Sequence, residues 1–130
     1  MRSGEKDRGA AAVEFALVFP LVIVLLIVVL EFSRLWNIQA TLTDAAGISA
    51  RYAGIHHEET DVVAKAILEA KKVPGFVNWS AATVEVAVDC NIAHAATSSI
   101  SVSPGSITEW FSSALGTPIT LSSTGKMPCG

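Results

Sequence analysis

The chain has 130 residues, which is enough for one small domain and no more. Apolar residues make up 51% of it and charged residues 16%, and the mean hydropathy of +0.49 is high for a soluble globular chain. The formal net charge is −3, with no basic patch, which argues against a nucleic-acid partner.

The apolar excess lies in residues 10–30, where Glu14 is the only charged residue. As a helix this run would be about 31 Å long, matching a bilayer hydrocarbon core of about 30 Å. A secretory signal has a shorter apolar region followed by a small-residue cleavage site. A buried core helix would need more chain than follows to cover it on all sides. The sequence therefore predicts a membrane span.

Basic residues predict the orientation of the span. Arg2, Lys6 and Arg8 precede it, whereas Arg34 is the next basic residue after it. By the positive-inside rule, the N-terminus is expected in the cytoplasm and residues 31–130 outside it. Pro20 lies within the run, where a membrane helix tolerates proline with a local kink.

Helical character is expected to continue beyond the span, through residues 31–55, as an amphipathic helix. On a helical wheel one arc is polar and the opposite arc is apolar. The polar arc comprises Ser33, Arg34, Asn37, Thr41, Asp44 and Arg51, and the apolar arc Leu35, Leu42, Ala46 and Ala53. Gly54 is the expected stop.

A second helix is predicted to begin after Thr60 as its cap and to end with Lys71 and Lys72. Asp61 and Lys65 form an i,i+4 pair. The expected apolar stripe is Val62, Val63, Ala66, Ile67 and Ala70. ProGly at 74–75 ends this helix.

After this helix, apolar and polar residues alternate, which predicts β-strands. Residues 83–90 place Val84, Val86, Val88 and Cys90 on one face, and residues 99–103 form a weaker strand. A short helix is expected over 106–115, with Ser106 and Glu109 as a capping box and Trp110 in the core. Residues 119–122 read as a third strand, followed by a turn-rich tail. The predicted fold class is α+β: a long membrane-spanning helix that continues into a small extracytoplasmic domain with two further helices and about three antiparallel strands.

The sequence contains neither the residue spacing of a metal site nor that of a catalytic site. His56 and His57 are adjacent, so they would point about 100° apart on a helix, and His94 is expected in a loop. No nucleophile elbow or paired-cysteine motif occurs. We therefore expect no catalytic residue, no metal and no cofactor, and the chain is not predicted to be an enzyme.

Cys90 and Cys129 are the only cysteines. Outside the cytoplasm an even pair favours a disulfide, and two cysteines leave one connectivity. The alternative is two free thiols, with Cys90 as a small apolar strand residue.

Glu14 raises a question, because an acidic residue costs about 2.5 kcal/mol or more at mid-bilayer and less near the interface. A cut after Gly9 would make Ala10 the amino terminus and Glu14 the fifth residue. The new α-amine and the carboxylate would then pair, within one chain or between neighbours, at a lower cost than either charge alone. The alternative is a carboxylate hydrated near the headgroups.

The segment GAAAVEF at 9–15 resembles the processing site of type IV prepilins. Together with residues 16–20, 31–35 and 40–53 it is similar to the TadE/TadF family, the pilin-like proteins of tight-adherence (Flp) pilus systems. Residues 106–115 and 121–127 resemble that family more loosely. The resemblance implies a minor pseudopilin in a bacterial inner membrane, matured by a prepilin peptidase at Gly9 and Ala10, with Glu14 registering helix against helix. Its partners would be other pilin-like subunits, the inner-membrane assembly machinery and the lipid bilayer.

The expected organisation is therefore a cytoplasmic leader (1–9), a transmembrane segment (10–30), the amphipathic continuation (31–55) and a periplasmic or extracellular α+β domain (56–130). The competing interpretation is an uncleaved single-pass anchor that presents a binding or sensory domain. A membrane-tethered hydrolase is disfavoured because the chain lacks the motifs of such a site.

Overall fold

The computed structural model describes the backbone of residues 3–105 and 109–130, and the side chains of residues 9–105 and 112–130. The elements in chain order are α1 (Ser3–Ile55), α2 (Val62–Lys71), β1 (Thr83–Asp89), β2 (Ala95–Val102), α3 (Glu109–Leu115) and β3 (Leu121–Pro128). The predicted α+β fold with one long N-terminal helix is confirmed. The chain forms two compact units, Met1–Ser33 and Arg34–Gly130.

The first unit is the N-terminal part of α1. Pro20 lies inside the helix, which continues on both sides of it. Proline lacks a backbone N–H, so one hydrogen bond of the helix is lost at this position. The large apolar side chains from Val13 to Leu30 are exposed, most of them by between 38% and 73%. By its length and composition, the helix from Gly9 to Ile55 is able to cross a membrane.

The second unit contains the remainder of α1 and a three-stranded antiparallel sheet in the order β1-β2-β3. Ile100 in the middle strand is paired with Val84 on one side and Ser123 on the other. Alternate residues of β2 are buried, so that one face of the sheet covers the core.

The core lies between this sheet face and α1. One cluster gathers Ile38, Leu42, Ala45 and Ala46 of α1 around Ile100 and Val102 of β2. A second, smaller cluster joins Ala53 to α2 and the start of β2. Small alanines on α1 let the helix approach the sheet closely, and the predicted apolar arc is confirmed at Leu42, Ala46 and Ala53.

Thr41, which we predicted on the polar arc, is buried instead. Its hydroxyl donates a hydrogen bond to the carbonyl of Asn37 at 3.0 Å, so the helix itself satisfies the polar group. Gly75 packs against Thr41, and a Cβ at Gly75 would lie 2.8 Å from Thr41 Cγ2. The absence of a side chain at Gly75 therefore allows this turn to cover the threonine.

The second helix begins one residue later than expected. Asp61, and not Thr60, occupies the N-cap, and no side-chain hydrogen bond caps the helix. Lys65 instead forms ion pairs with Asp61 at 3.2 Å and Glu59 at 2.9 Å, as predicted for Asp61. The hydrogen bonds that Lys65 donates to these carboxylates, Glu59 first, raise the pKa of Lys65. Of the predicted apolar stripe, Val62, Ala66 and Ala70 are buried, whereas Val63 is exposed.

Two strands are longer than predicted. β2 starts at Ala95, four residues earlier than expected, and pairs there with Asp89 and Pro128. The tail predicted as turn-rich is the strand β3, which continues to Pro128 because β2 offers it a paired edge along its whole length. Strand pairing between distant segments, and not local propensity, decides both boundaries.

The helix predicted over 106–115 is present as α3 over Glu109–Leu115. The predicted cap at Ser106, the capping role of the Glu109 side chain and the core position of Trp110 lie outside the described residues.

Candidate functional site

The predicted processing residues lie on successive turns of α1. Gly9, Ala10 and Glu14 are all helical and exposed. A Cβ at Gly9 would meet nothing within 4 Å. Ala10 and Glu14 are four residues apart, so they share one face of the helix. In the described part of the chain, Glu14 has no ion pair or hydrogen bond.

The helix that follows presents apolar side chains on every side. Phe15 and Phe19 stack with their ring centroids 5.3 Å apart, on the same face as one another. Both rings remain at least 49% exposed. Within the first unit, this surface is left uncovered, which suits contact with lipid or with other helices.

In the second unit α1 also keeps exposed apolar side chains. They are Trp36, Ile48 and Ile55, which are 69%, 45% and 57% exposed. Trp36 is thus on the surface, and tryptophan is a residue type enriched at membrane–water interfaces. Trp79 packs against the larger core cluster, and its indole N–H donates to the carbonyl of Val73 at 3.2 Å.

The predicted disulfide between Cys90 and Cys129 is present, with the Cα atoms 5.7 Å apart and the two cysteines 39 positions apart in the sequence. It joins the ends of β1 and β3 across the beginning of β2. Two backbone hydrogen bonds accompany it, from Cys129 to the carbonyl of His94 and from Gly130 to the carbonyl of Gly54. The end of the chain is therefore attached to both the sheet and α1.

The histidines have structural contacts that the sequence analysis did not anticipate. Nδ1 of His56 lies 3.1 Å from the carbonyl oxygen of Tyr52, and Nδ1 of His57 lies 3.0 Å from that of Gly54. His56 also stacks on Tyr52. Both imidazoles thus cap carbonyls at the end of α1, where unpaired acceptors accumulate. The signal for this role was their position two and three residues after Gly54, the expected end of the helix. Among the described residues, no group of three or more His, Cys, Asp or Glu side chains is arranged for a metal.

A cavity of about 170 Å³ lies beside α1 in the second unit. Its polar lining consists chiefly of Arg34, Asn78 and Ser103. The Arg34 guanidinium donates to the carbonyl of Gly105 at its rim. This lining has hydrogen-bonding groups, and among its residues no nucleophile lies beside a general base.

The model of the TadE-like protein family matches residues 9–51. Comparison with curated proteins and with solved structures gives no match. The matched segment is a third of the chain and lies entirely within α1. It begins at the predicted processing glycine and ends four residues before the helix does. The resemblance to TadE-like proteins is therefore confirmed over residues 9–51, all of which lie in the long N-terminal helix.

Proposed function

We propose that this chain is a minor pseudopilin-like structural subunit that acts in the assembly of a Tad (Flp/type IVc-like) pilus. The family match over residues 9–51 is the observation that carries the proposal, because it coincides with the helix that would both anchor and pack the subunit. The chain acts by association and not by catalysis.

The surface of α1 supports this role. An apolar helix that no other part of its own unit covers is stable only in lipid or among similar helices. The first 21 residues after Gly9 have the length for the inner membrane, with residues 1–9 in the cytoplasm and the sheet-containing unit outside. The same apolar surface would contact other pilin-like subunits and the assembly machinery.

Processing after Gly9 is part of the proposal. The bond between Gly9 and Ala10 lies inside α1, so a prepilin peptidase would have to open the first helical turns to reach it. Opening is easiest at a helix end, and glycine further weakens the helix there by about 1 kcal/mol relative to alanine. The cut would leave Glu14 as the fifth residue, close to the new α-amine.

Intact-mass analysis of the protein purified from membranes tests this step. Co-expression with the cognate prepilin peptidase should yield a chain that begins at Ala10. Gly9→Val should block the cut, because a β-branched side chain would occupy the position next to the scissile bond. Glycine at 47 is the matched control, since Gly47→Val changes the same residue type in the same helix and should leave cleavage intact. A chain that retains Met1 in the presence of an active peptidase would favour the uncleaved anchor.

Assembly is tested separately, by isolating sheared pili and the inner membrane from cells that carry tagged chain. Association with pilin-like subunits in either fraction supports the proposal. A chain that is cleaved but recovered only as an isolated membrane protein, in cells that make normal pili without it, would contradict it.

A further inference from the structure

The face of the sheet that points away from the core carries an unusual set of side chains. We call it the outer sheet face. Its members alternate with the core residues along each strand, so they point to the opposite side. They are Thr83, Glu85, Ala87 and Asp89 on β1, Thr97, Ser99 and Ser101 on β2, and Ser122, Thr124 and Lys126 on β3. The positions on β1 and β3 are exposed and those on β2 are half-buried.

Short side chains dominate the outer sheet face. Serine, threonine and alanine occupy the centre, and Thr124 and Ser99 bring their hydroxyl oxygens to 3.4 Å from one another. Without long side chains in the middle, a second flat surface is able to approach closely. Charge is found only at the two edges.

The charges are separated by sign. Glu85 and Asp89 lie on β1, and Lys126 lies on β3 at the other edge. Glu85 and Lys126 have no ion-pair partner anywhere in the described chain. The register places Ala87, Thr97 and Lys126 in one row across the sheet, between the rows that contain Glu85 and Asp89.

We propose that the outer sheet face binds the outer sheet face of a second copy of this chain, about a two-fold axis that runs parallel to the strands. This pairing places β1 of each copy over β3 of the other. Lys126 then stands over Ala87 of the second copy, where the methyl side chain leaves room for the lysine stem. Glu85 and Asp89 of that copy flank it at about 6.6 Å along the strand on either side.

Charge selects this axis over the alternative one. A two-fold axis perpendicular to the strands would place β1 over β1, so that the carboxylates of the two copies oppose each other, which is unfavourable. With the axis parallel to the strands, the charges at both edges of the sheet attract those of the second copy. Each contact occurs twice, as an isologous interface requires.

The area limits the strength of the interface. Three strands about 4.8 Å apart and seven residues long at about 3.3 Å each cover roughly 330 Å² on each copy, well below the roughly 800 Å² per partner of a stable complex. The pairing is therefore weak in dilute solution. It is favoured where a shared membrane or assembly confines the copies and raises their effective concentration. It requires neither pilus assembly nor cleavage after Gly9.

Site-specific crosslinking of the full chain in native membranes tests the proposal. Ser99→Cys places one thiol near the two-fold axis, and the native cysteines do not compete because they are bonded to each other. A short bismaleimide should yield a covalent dimer, identified by its mass. Thr60→Cys, exposed in the turn before α2, is the control and should yield much less dimer.

Charge reversal then tests the register. Lys126→Glu should lower the dimer yield of the Ser99→Cys chain by roughly fivefold, because two attractive contacts become repulsive. Adding Glu85→Lys to that chain should restore part of the yield. Equal dimer from the Ser99 and Thr60 positions, no effect of Lys126→Glu, or no recovery in the double variant would overturn the proposal. A Ser99 crosslink to a different protein in place of the dimer would also overturn it.

Discussion

At the scale of single residues, Gly125 is the position where a side chain is least tolerated. It lies on β3 against the backbone of α1, and a Cβ there would be 2.9 Å from the nitrogen of Gly47 and closer still to the carbonyl of Ala46. Backbone atoms of a packed helix cannot move away locally. The missing side chain therefore sets the distance between α1 and β3.

Gly125→Ala should destabilise the second unit by about 1–3 kcal/mol, as overpacking generally does. Gly47→Ala is the matched control: nothing lies within 4 Å of its Cβ, and alanine in a helix interior should stabilise by about 0.5–1 kcal/mol. Urea unfolding of the full chain in detergent micelles measures both changes. A neutral Gly125→Ala variant would mean that α1 and β3 approach less closely than the structure has them.

Two buried hydroxyls predict a gain in stability on substitution, in contrast to the loss expected for Gly125→Ala. Ser49 on α1 and Ser98 on β2 are fully buried, and among the described residues neither Oγ has a hydrogen-bond partner. A buried hydroxyl without a partner costs about 1–3 kcal/mol. Ser98→Ala and Ser49→Ala should each raise the free energy of unfolding in the same urea assay.

Ser123→Ala serves as the comparison for these variants, because the Ser123 hydroxyl donates to that of Thr43 at 3.2 Å. Its loss should leave the stability unchanged or slightly reduced. If Ser98→Ala and Ser49→Ala both destabilise, each hydroxyl has a partner such as a buried water, and the cost assigned here is wrong.

At the scale of elements, β3 depends on contacts remote in sequence. It pairs with β2 along its length, packs against α1 at Gly125 and is joined to β1 by the disulfide. In the described residues it is an edge strand, hydrogen-bonded to β2 on one side. The covalent link at Cys129, directly after the strand, therefore matters most for the end of β3.

Removal of the disulfide should destabilise the second unit by about 4 kcal/mol, since it closes a loop of about 40 residues. Cys90→Ser with Cys129→Ser should also increase hydrogen exchange first at residues 126–130, which the bond holds against β2 and α1. Thiol labelling of the unfolded, unreduced wild type should be negligible. Equal exchange with and without the bond would show that strand pairing alone secures the end of β3.

At the scale of the whole molecule, Glu14 separates a subunit that assembles from a plain anchor. Glu14→Gln retains the size and removes the charge, so membrane insertion should be equal or better. An anchor would function normally. An assembling subunit would be cleaved yet fail to join its partners, because the α-amine of Ala10 would stay unpaired in apolar surroundings.

Crosslinking of wild type and Glu14→Gln to neighbouring pilus components, together with a count of surface pili, distinguishes the two cases. Val13→Gln is a control of similar polarity one position away. Unchanged crosslinks and normal piliation for Glu14→Gln would leave the carboxylate as a hydrated interfacial residue or a recognition mark for the peptidase.

Local patterns in the sequence were sufficient for much of this molecule. The apolar run predicts the long helix, alternating valines predict β1, and two cysteines in a segment expected outside the cytoplasm favour the pairing of Cys90 with Cys129. The family resemblance likewise depends on one contiguous segment, residues 9–51, which lies within a single helix.

The tertiary structure alone decided the features that depend on residues far apart in the chain. The extent of β3 is set by its pairing with β2, the burial of Thr41 by a turn more than 30 residues away, and the need for glycine at 125 by the backbone of α1. The outer sheet face is likewise visible only once the register aligns three strands. Backbone pairing and close packing between distant segments leave no local periodicity, which is why these features could not be predicted from the sequence.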